Sequence, residues 1–404
     1  PLRTRRIRAP MASPRSTVLG GGRPDLALIK LPEELQVVLD LSSEPPESGG
    51  YGFVVFGERK SDRTKRVAVK VQSERKDVQQ IEVDALERLR EPSSALNELR
   101  YWLTGCPPYQ HIIEMIDHFT ADSTEMLLPW RGHTSFLVLE RGDEDLFTMF
   151  ERGEISPSLQ RHCFAMLVDG VRHLHSIGIV HRDLKLENLV MVGKTLKIVD
   201  FGNAYLYTKR LGTDTYSNEY IDDSGPGTRY YKPPEVAKTV FSRKPEPYDG
   251  HAFDLWSMGV ILFLLSYKDF PFKNNSEKSD PVIKAMMKAQ EKRESTTSAI
   301  YRYWNRPCLL EPALCALIDG LLVIDPRGRF TIEQVVQHEW LAESSTPVPR
   351  QRGGGGGSVP GSSGARGGGD DRGTGGIAAS VVAAPAAAAA APAAAASAPT
   401  AAVA

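Results

Sequence analysis

Apolar positions fall in short β-rich runs near the start of the chain and switch to helical spacing later. Val37–Leu39, Phe53–Phe56 and Arg66–Val71 are rich in β-branched and aromatic residues, are separated by turn-prone or charged segments, and predict strands. Val78, Ile81, Ala85, Leu86 and Leu89 then recur on one face of a helix. Two further strands are predicted at Ile112–Phe119 and Phe136–Leu139. After Glu140 the spacing predicts helices over Leu159–Ile177, Asp254–Tyr267, Pro281–Glu291, Pro312–Ile324 and Ile332–Trp340. The expected architecture is α+β and bilobal: a small antiparallel β lobe with one helix over residues 35–139, a short connection at Glu140–Asp145, and a larger α-helical lobe over 140–341. A cleft between two such lobes is where a ligand is expected.

Composition removes both ends of the 404-residue chain from any core. Residues 1–34 carry six arginines before the first acid, Asp25, show no sustained apolar period, and are expected to be a disordered basic segment. Such an arginine-rich, acid-poor start also suits an organelle transit segment; the expectation is a basic tail on a cytoplasmic or nuclear protein. Residues 342–404 form a tail rich in Gly, Ala and Pro, also expected to be disordered, and Pro385, Pro392 and Pro399 interrupt every stretch there that approaches the about 20 residues of a membrane span. The strongest apolar run, Leu255–Leu265, is shorter than that and predicts a buried helix. A net charge of −1 with both signs interspersed predicts neither nucleic acid nor an anionic membrane as an obligatory partner, and sets no oligomeric state. Cys106, Cys163, Cys308 and Cys315 form no Cys-x-x-Cys pair and read as thiols in a reducing compartment.

Candidate chemistry is concentrated in the middle of the chain. His181-Arg182-Asp183-Leu184-Lys185-Leu186-Glu187-Asn188 is followed, twelve residues beyond Asn188, by Asp200-Phe201-Gly202. Two carboxylates and an amide at this spacing suit phosphoryl transfer. One aspartate can face a substrate hydroxyl while the other and the asparagine oxygen hold Mg²⁺ on nucleotide phosphates, because hard cations take oxygen ligands. Upstream, Ser48-Gly49-Gly50-Tyr51-Gly52-Phe53-Val54 lies between the first two predicted strands, where glycines let the backbone bend over phosphates and offer N–H donors. Alone it reads as an ordinary hairpin. Lys70, ending Val67-Ala68-Val69-Lys70, can pair the α and β phosphates or be a solvated strand-edge charge. Each motif is short, but the ordered set is specific.

In that order the motifs resemble the eukaryotic protein kinase family, from about Leu35 to Leu341. The resemblance implies a protein-kinase-like fold and transfer of the γ-phosphoryl of Mg-ATP to serine and threonine hydroxyls, with ATP and Mg²⁺ bound and with protein substrates and an upstream kinase as partners. It implies that Lys70 positions phosphates, Asp183 accepts or orients the substrate hydroxyl, Lys185 neutralises the transferring phosphoryl, and Asn188 and Asp200 bind Mg²⁺. Ser48, Gly49, Gly50 and Gly52 would form the phosphate loop, and Val54, Ala68 and Val190 would enclose the adenine. Leu139 would be the gatekeeper, Glu140 would start a hinge one residue shorter than in many relatives, and Asp145 would contact the ribose. Lys185, two residues after Asp183, resembles the serine/threonine rather than the tyrosine type. Gly227-Thr228-Arg229-Tyr230-Tyr231-Lys232-Pro233-Pro234-Glu235 resembles the end of an activation segment, with Thr228 shaping the acceptor site and Glu235 paired with Arg329. Asp254 would brace the catalytic loop. Thr228–Tyr231 is reminiscent of the cyclin-dependent and MAP kinase group and Leu184–Leu189 of calcium/calmodulin-dependent relatives, so the subgroup stays open.

Two points depart from the family pattern or leave a choice. Glu47 stands where the family has the first phosphate-loop glycine, and the partner of Lys70 is either Glu82 or Glu98, with Glu82 preferred and an insertion over Glu91–Tyr109 as its corollary. Arg182 needs an anionic partner, and a phosphate on a residue such as Thr213, Thr215 or Ser217 is expected to supply it; a flexible acidic loop is the alternative. An active kinase is the leading reading, with a nucleotide-binding pseudokinase scaffold as its rival.

Overall fold

Alternation along the early strands decides which side chains are sealed in an apolar cluster and which take the opposite face of the sheet. A computed structural model describes residues 31, 33–40, 52–73, 76–90, 109–122, 133–213, 215–237, 246–272 and 280–342, all within the unit Pro1–Val348. Residues 1–30, Glu47, Ser48, Gly49 and Gly50, the insertion up to residue 108 with Glu98 and Cys106, and the tail from residue 343 lie outside the described residues. Among the described residues, β1 (Val37–Leu39), β2 (Gly52–Arg59), β3 (Arg66–Ser73), β4 (Met115–Asp122) and β5 (His133–Glu140) form an antiparallel sheet of order β1-β2-β3-β5-β4, with α1 (Lys76–Arg90) between β3 and β4. Val67, Val69 and Val71 of β3 share one buried face with Phe53, Val55, Phe136 and Val138. Val54, Ala68 and Lys70 therefore take the other face, in register with Lys70, Leu139 and Leu137 respectively. A one-residue slip would drive Lys70 into the valine cluster, so burial fixes the register.

The strand expected from Ile112 begins at Met115. Ile112 instead makes a parallel bridge to Ile198 and ties the sheet to the second half of the chain. That half contains β6 (Glu144–Asp145), α2 (Leu146–Glu151), α3 (Pro157–Ser176), β7 (Ile179–Val180), β8 (Leu189–Val192), β9 (Thr195–Ile198), β10 (Tyr205–Leu206), α4 (Pro234–Ala237), α5 (Gly250–Tyr267), α6 (Pro281–Glu291), α7 (Thr296–Tyr303), α8 (Pro312–Leu321), α9 (Ile332–Val336) and α10 (Glu339–Ala342). The expected last helix is two pieces. A capping box between Thr331 and Gln334 starts α9, and the turn after Gln337 lets Trp340 pack against Phe164, ring centroids 6.0 Å apart.

At the centre lies α5, capped by Asp249, whose carboxylate accepts from the N–H groups of His251 and Ala252. The structure extends the apolar run to 18 residues, long enough by length and composition to cross a membrane, yet 83% of it is buried inside the protein. It is therefore the core helix of this half. The Asp254 carboxylate on α5 is fully buried and accepts from His175 Nε2 of α3 at 2.9 Å. Burial holds the His175 imidazole below the usual histidine pKa, against the opposing pull of Asp254. Burial would raise the Asp254 carboxyl, but the hydrogen bonds it accepts, first from His175 and then from the His181 N–H, help hold it below the usual carboxylate range. A buried ion pair closes the base of the helical half. Arg329, with a fully buried side chain, donates to both carboxylate oxygens of Glu235 at 2.9 and 3.2 Å and to the carbonyls of Ala252 and Val323.

Replacing Glu235 with Ala leaves the Arg329 guanidinium buried against carbonyls alone, and we expect a loss of about 3–5 kcal/mol in urea denaturation. An unchanged midpoint would mean the pair contributes nothing. A histidine held neutral in the fold, while the unfolded chain gains a proton near pH 6.5, gives stability that is complete above that pH and is lost as pH falls through the folded value. Thermal melting from about pH 8 to about pH 5 should therefore decline below about pH 6.5. His175→Gln, which keeps an N–H for Asp254 but does not titrate, should flatten part of that slope; identical slopes would remove His175 from the cause.

Candidate active site

The β8–β9 hairpin sets the site. Leu189 pairs with Ile198, and just beyond this last pair Val199 N–H donates to the Asn188 carbonyl at 3.0 Å, so Asn188 and Asp200 emerge at the same end of one hairpin. The loop before it is held from below: both oxygens of Asp254 accept backbone N–H groups, His181 at 2.9 Å and Arg182 at 2.8 Å. This fixes Arg182 at a left-handed φ of 61°, and Asp200 is likewise at 66°. Neither is glycine, so each is a strained position that its surroundings must impose. His181 Nδ1 accepts the Asp183 N–H, which puts the ring proton on Nε2, where it donates to the Val199 carbonyl at 3.0 Å. The ring lies edge-on to Phe201, 5.0 Å between centroids.

Lys70 joins three elements. Its Nζ lies 2.7 Å from Glu82 Oε2, 3.0 Å from Glu82 Oε1 and 2.8 Å from Asp200 Oδ1. The pairing of Lys70 is thus with Glu82, which is 2% exposed on α1. Burial opposes the Lys70 charge, but the two carboxylates outweigh it and hold its pKa above the ordinary lysine value. Burial would raise the Asp200 carboxyl, yet the Lys70 charge and hydrogen bond pull it down to about 2. Asp200 is therefore ionised at neutral pH, and its carboxylate remains 41% exposed toward the cleft.

Asp183 is 5% exposed. Its Oδ1 accepts from Thr228 N–H at 2.8 Å and Thr228 Oγ1 at 2.7 Å. Around Oδ2 stand Lys185 Nζ at 3.3 Å, Asn203 Nδ2 at 3.4 Å and Asn188 Nδ2 at 3.5 Å. Lys185 Nζ also donates to Thr228 Oγ1 at 3.2 Å, so Asp183, Lys185 and Thr228 form a closed triangle. Gly227 makes this approach feasible: its φ is 104°, and a Cβ there would stand 2.3 Å from the Arg182 carbonyl.

Val54 and Ala68 lie on the cleft face of β2 and β3, with Leu139 opposite Ala68 on β5, and Val190 is on β8. Gly142 passes so close to Val190 that an added Cβ would lie 2.9 Å from the valine Cβ. Glu140 turns its side chain to Lys197 Nζ at 2.7 Å and donates its backbone N–H to the Glu114 carbonyl. Asp145 caps α2, with Oδ1 accepting from Thr148 N–H and Oδ2 from Thr148 Oγ1. Thr213, Thr215 and Ser217 bond locally, Thr213 Oγ1 with Thr215 Oγ1 at 2.9 Å and Ser217 Oγ with Glu219 at 3.2 Å. The anionic partner of Arg182 is Asp223, whose Oδ2 lies 2.5 Å from Nη1.

The sequence alone singles out none of Asn203, Asp223, Tyr248 and Arg88. Asn203 adjoins Asp200-Phe201-Gly202 and could have been found by asking what reaches Asp183 from that side. Arg88 looks like a solvated helix charge, yet it leaves α1 to donate to the carbonyls of Gly178 at 3.2 Å and Tyr207 at 2.9 Å and lies over the Tyr216 ring. No local signal points to that contact.

Among the described residues no three His, Cys, Asp or Glu side chains gather into a protein-only metal cage. Asp200 and the Asn188 side-chain oxygen suit a cation that completes its shell with phosphate oxygens and waters, which is the habit of Mg²⁺. The Asn188 amide nitrogen donates to the Asp183 carbonyl at 2.9 Å, which turns its oxygen the other way.

The family model described as Protein kinase domain matches residues 48–341. The chain is 33% identical over 251 residues to serine/threonine-protein kinase chk1 of Schizosaccharomyces pombe, covering 61% of this chain and 44% of that protein. It is 31% identical over 305 residues to serine/threonine-protein kinase pim-2 of Danio rerio, 74% of this chain and 83% of that protein. It is 31% identical over 297 residues to NUAK family SNF1-like kinase 2 of Rattus norvegicus, 72% of this chain and 38% of that protein. The chain thus spans less than half the length of two of these three relatives. With most of its length matched, with Lys70 joined to Glu82 and Asp200, and with Lys185 and Asn188 gathered on Asp183, the chain belongs to the eukaryotic protein kinase family, on the serine/threonine side.

Proposed function

We propose that the chain transfers the γ-phosphoryl group of Mg-ATP to serine and threonine hydroxyls of protein substrates. The observation that carries this reading is the Lys70 junction, in which one ammonium links Glu82 of α1 to Asp200 beside the catalytic loop at 2.7–2.8 Å. Lys70 held there would meet the α and β phosphates. Asp183, with Oδ1 fixed by Thr228 and Oδ2 near Lys185, would orient the acceptor hydroxyl and take its proton. Lys185 would spread the charge of the transferring group. Thr228 would fix the floor on which an acceptor side chain rests. A Mg²⁺ held by Asn188 and Asp200 would neutralise charge developing on the phosphate oxygens. Val54, Ala68, Val190 and Leu139 would enclose the adenine, with Glu140 and Gly142 offering backbone groups along its edge. Gly52 would stand at the end of the phosphate loop begun by Ser48, Gly49 and Gly50. A scaffold that had given up chemistry would be expected to lack Lys70, Asp183 or Asp200, and all three are present.

With labelled ATP, Mg²⁺ and a basic protein acceptor, Asp183→Asn should lower kcat by about a thousandfold while leaving nucleotide binding intact, since proton transfer and orientation are lost together. Label should appear on serine and threonine. Nucleotide binding by the wild type without transfer to any acceptor would replace the enzyme with a scaffold.

A further inference from the structure

The anion site at Arg182 is already complete. The guanidinium side chain is 5% exposed and donates through Nε to the Asn203 carbonyl at 2.8 Å and through Nη2 to the Ala204 carbonyl at 3.2 Å. Its Nη1 donates to Asp223 Oδ2 at 2.5 Å and to Tyr248 OH at 2.9 Å. That accounts for Nε, both Nη1 protons and one proton of Nη2. The other oxygen of Asp223 accepts from Tyr248 OH at 2.8 Å and from Gly225 N–H at 2.8 Å. A carboxylate thus occupies a pocket of three donors, one of them a buried cation.

The chain on either side of Asp223 is fastened independently. Ile221 and Tyr248 exchange backbone hydrogen bonds at 2.8 and 3.0 Å, and Val180, Tyr207, Ile221, Val236, Tyr248 and Phe253 form a separate buried apolar cluster beneath them. Lys232 is 8% exposed and donates to the Gly225 carbonyl at 2.5 Å, which locks the turn after Asp223. Five residues beyond Asp223, Thr228 delivers both its N–H and its hydroxyl to Asp183. By contrast, Lys209–Tyr216 closes a small hairpin whose tip carries Thr213 and Thr215, both exposed, with hydroxyls bonded to each other and to the Arg210 carbonyl.

We infer that Asp223 is a built-in positioning residue: its carboxylate supplies Arg182 with the counter-charge that orders residues 221–228 and seats Thr228 on Asp183, so that this part of the site forms without phosphorylation of the activation segment. A phosphate from Thr213, Thr215 or Ser217 would have to displace a carboxylate that already has three donors. Burial would raise the Asp223 carboxyl, but the Arg182 hydrogen bond and charge outweigh it and hold it below the usual carboxylate range, so it is ionised at neutral pH. The inference deepens the phosphotransferase reading and rests on it for its catalytic consequence alone; the ordering of the segment stands apart from that reading.

The test uses the full chain treated with a broad-specificity phosphatase and shown by mass spectrometry to be unmodified. Hydrogen exchange over residues 203–228 and phosphotransfer to a basic protein are then measured for wild type, Asp223→Asn and Asp223→Glu. Unmodified wild type should keep its exchange protection and its kcat. Asp223→Asn, losing a charge-assisted bond to a buried guanidinium, should lose protection in this segment and about ten- to a hundredfold in kcat with the ATP KM little changed. Asp223→Glu should restore part of both. Loss of protection and activity on phosphatase treatment, or an Asp223→Asn protein with wild-type protection, overturns the inference. A wild type that is protected yet transfers no phosphate leaves the ordering role standing and removes the kinase reading instead.

Discussion

One carboxylate without access to solvent holds the catalytic loop in place. Asp254 lies on α5, most of which is buried, and accepts two backbone N–H groups and an imidazole N–H. A buried carboxylate is costly unless its oxygens are satisfied, and here three donors converge on it. The same bonds impose the left-handed turn at Arg182, and that turn aims the Asp183 side chain one way and the Arg182 guanidinium the other. The apolar length of α5, with Trp256 and Phe253 fully buried on either side of Asp254, keeps water from competing for those donors. Core and site are therefore one problem in this half of the protein: the helix that looks purely structural is what fixes the loop carrying Asp183.

The sheet contributes through register. Because Val67, Val69 and Val71 must face the apolar cluster, Lys70 has to face the cleft, and α1 is placed so that Glu82 meets it. Ile112–Ile198 pairing then ties the sheet side to the β8–β9 hairpin that carries Asp200. Three contacts of unlike kind, an apolar alternation, an ion pair and a backbone bridge, thus locate a single ammonium. Around the connection, Arg141 lies over the Phe56 ring at 4.4 Å and Arg66 pairs with Asp143 at 2.5 Å, fastening strand ends to the segment that follows Glu140.

Much of this was readable in the amino-acid order, and the reasons differ by feature. Asp183, Lys185, Asn188 and Asp200 are spaced by a loop and a hairpin, so their separation along the chain reports their separation in space. Strands β2 and β3 follow from alternation, and α6 follows from its apolar period together with Asp280 and Pro281 at its start. Apolar spacing alone starts α3 at Leu159 and α5 at Asp254, whereas the caps Ser156 and Asp249 start them earlier, at Pro157 and Gly250. The helices α2 and α7 and the two-residue strands are too short to show a period. Asp223 was one acid among several, and nothing nearby in the chain distinguishes it from Asp222; only the fold brings it the 41 positions back to Arg182. Asp145 also caps α2, because a carboxylate just before a helix serves the first turn's donors at short range.

Arg88 gives the arrangement a further property. Its guanidinium spans from α1 to the carbonyls of Gly178 and Tyr207, while Glu82, six residues earlier on the same helix, grips Lys70. Any displacement of α1 bears on both contacts, which joins the Lys70 junction to the chain around Tyr207. Linkage of this kind is reciprocal. If a nucleotide binds more tightly when α1 is held here, it favours the Arg88 contacts by the same factor by which those contacts favour the nucleotide.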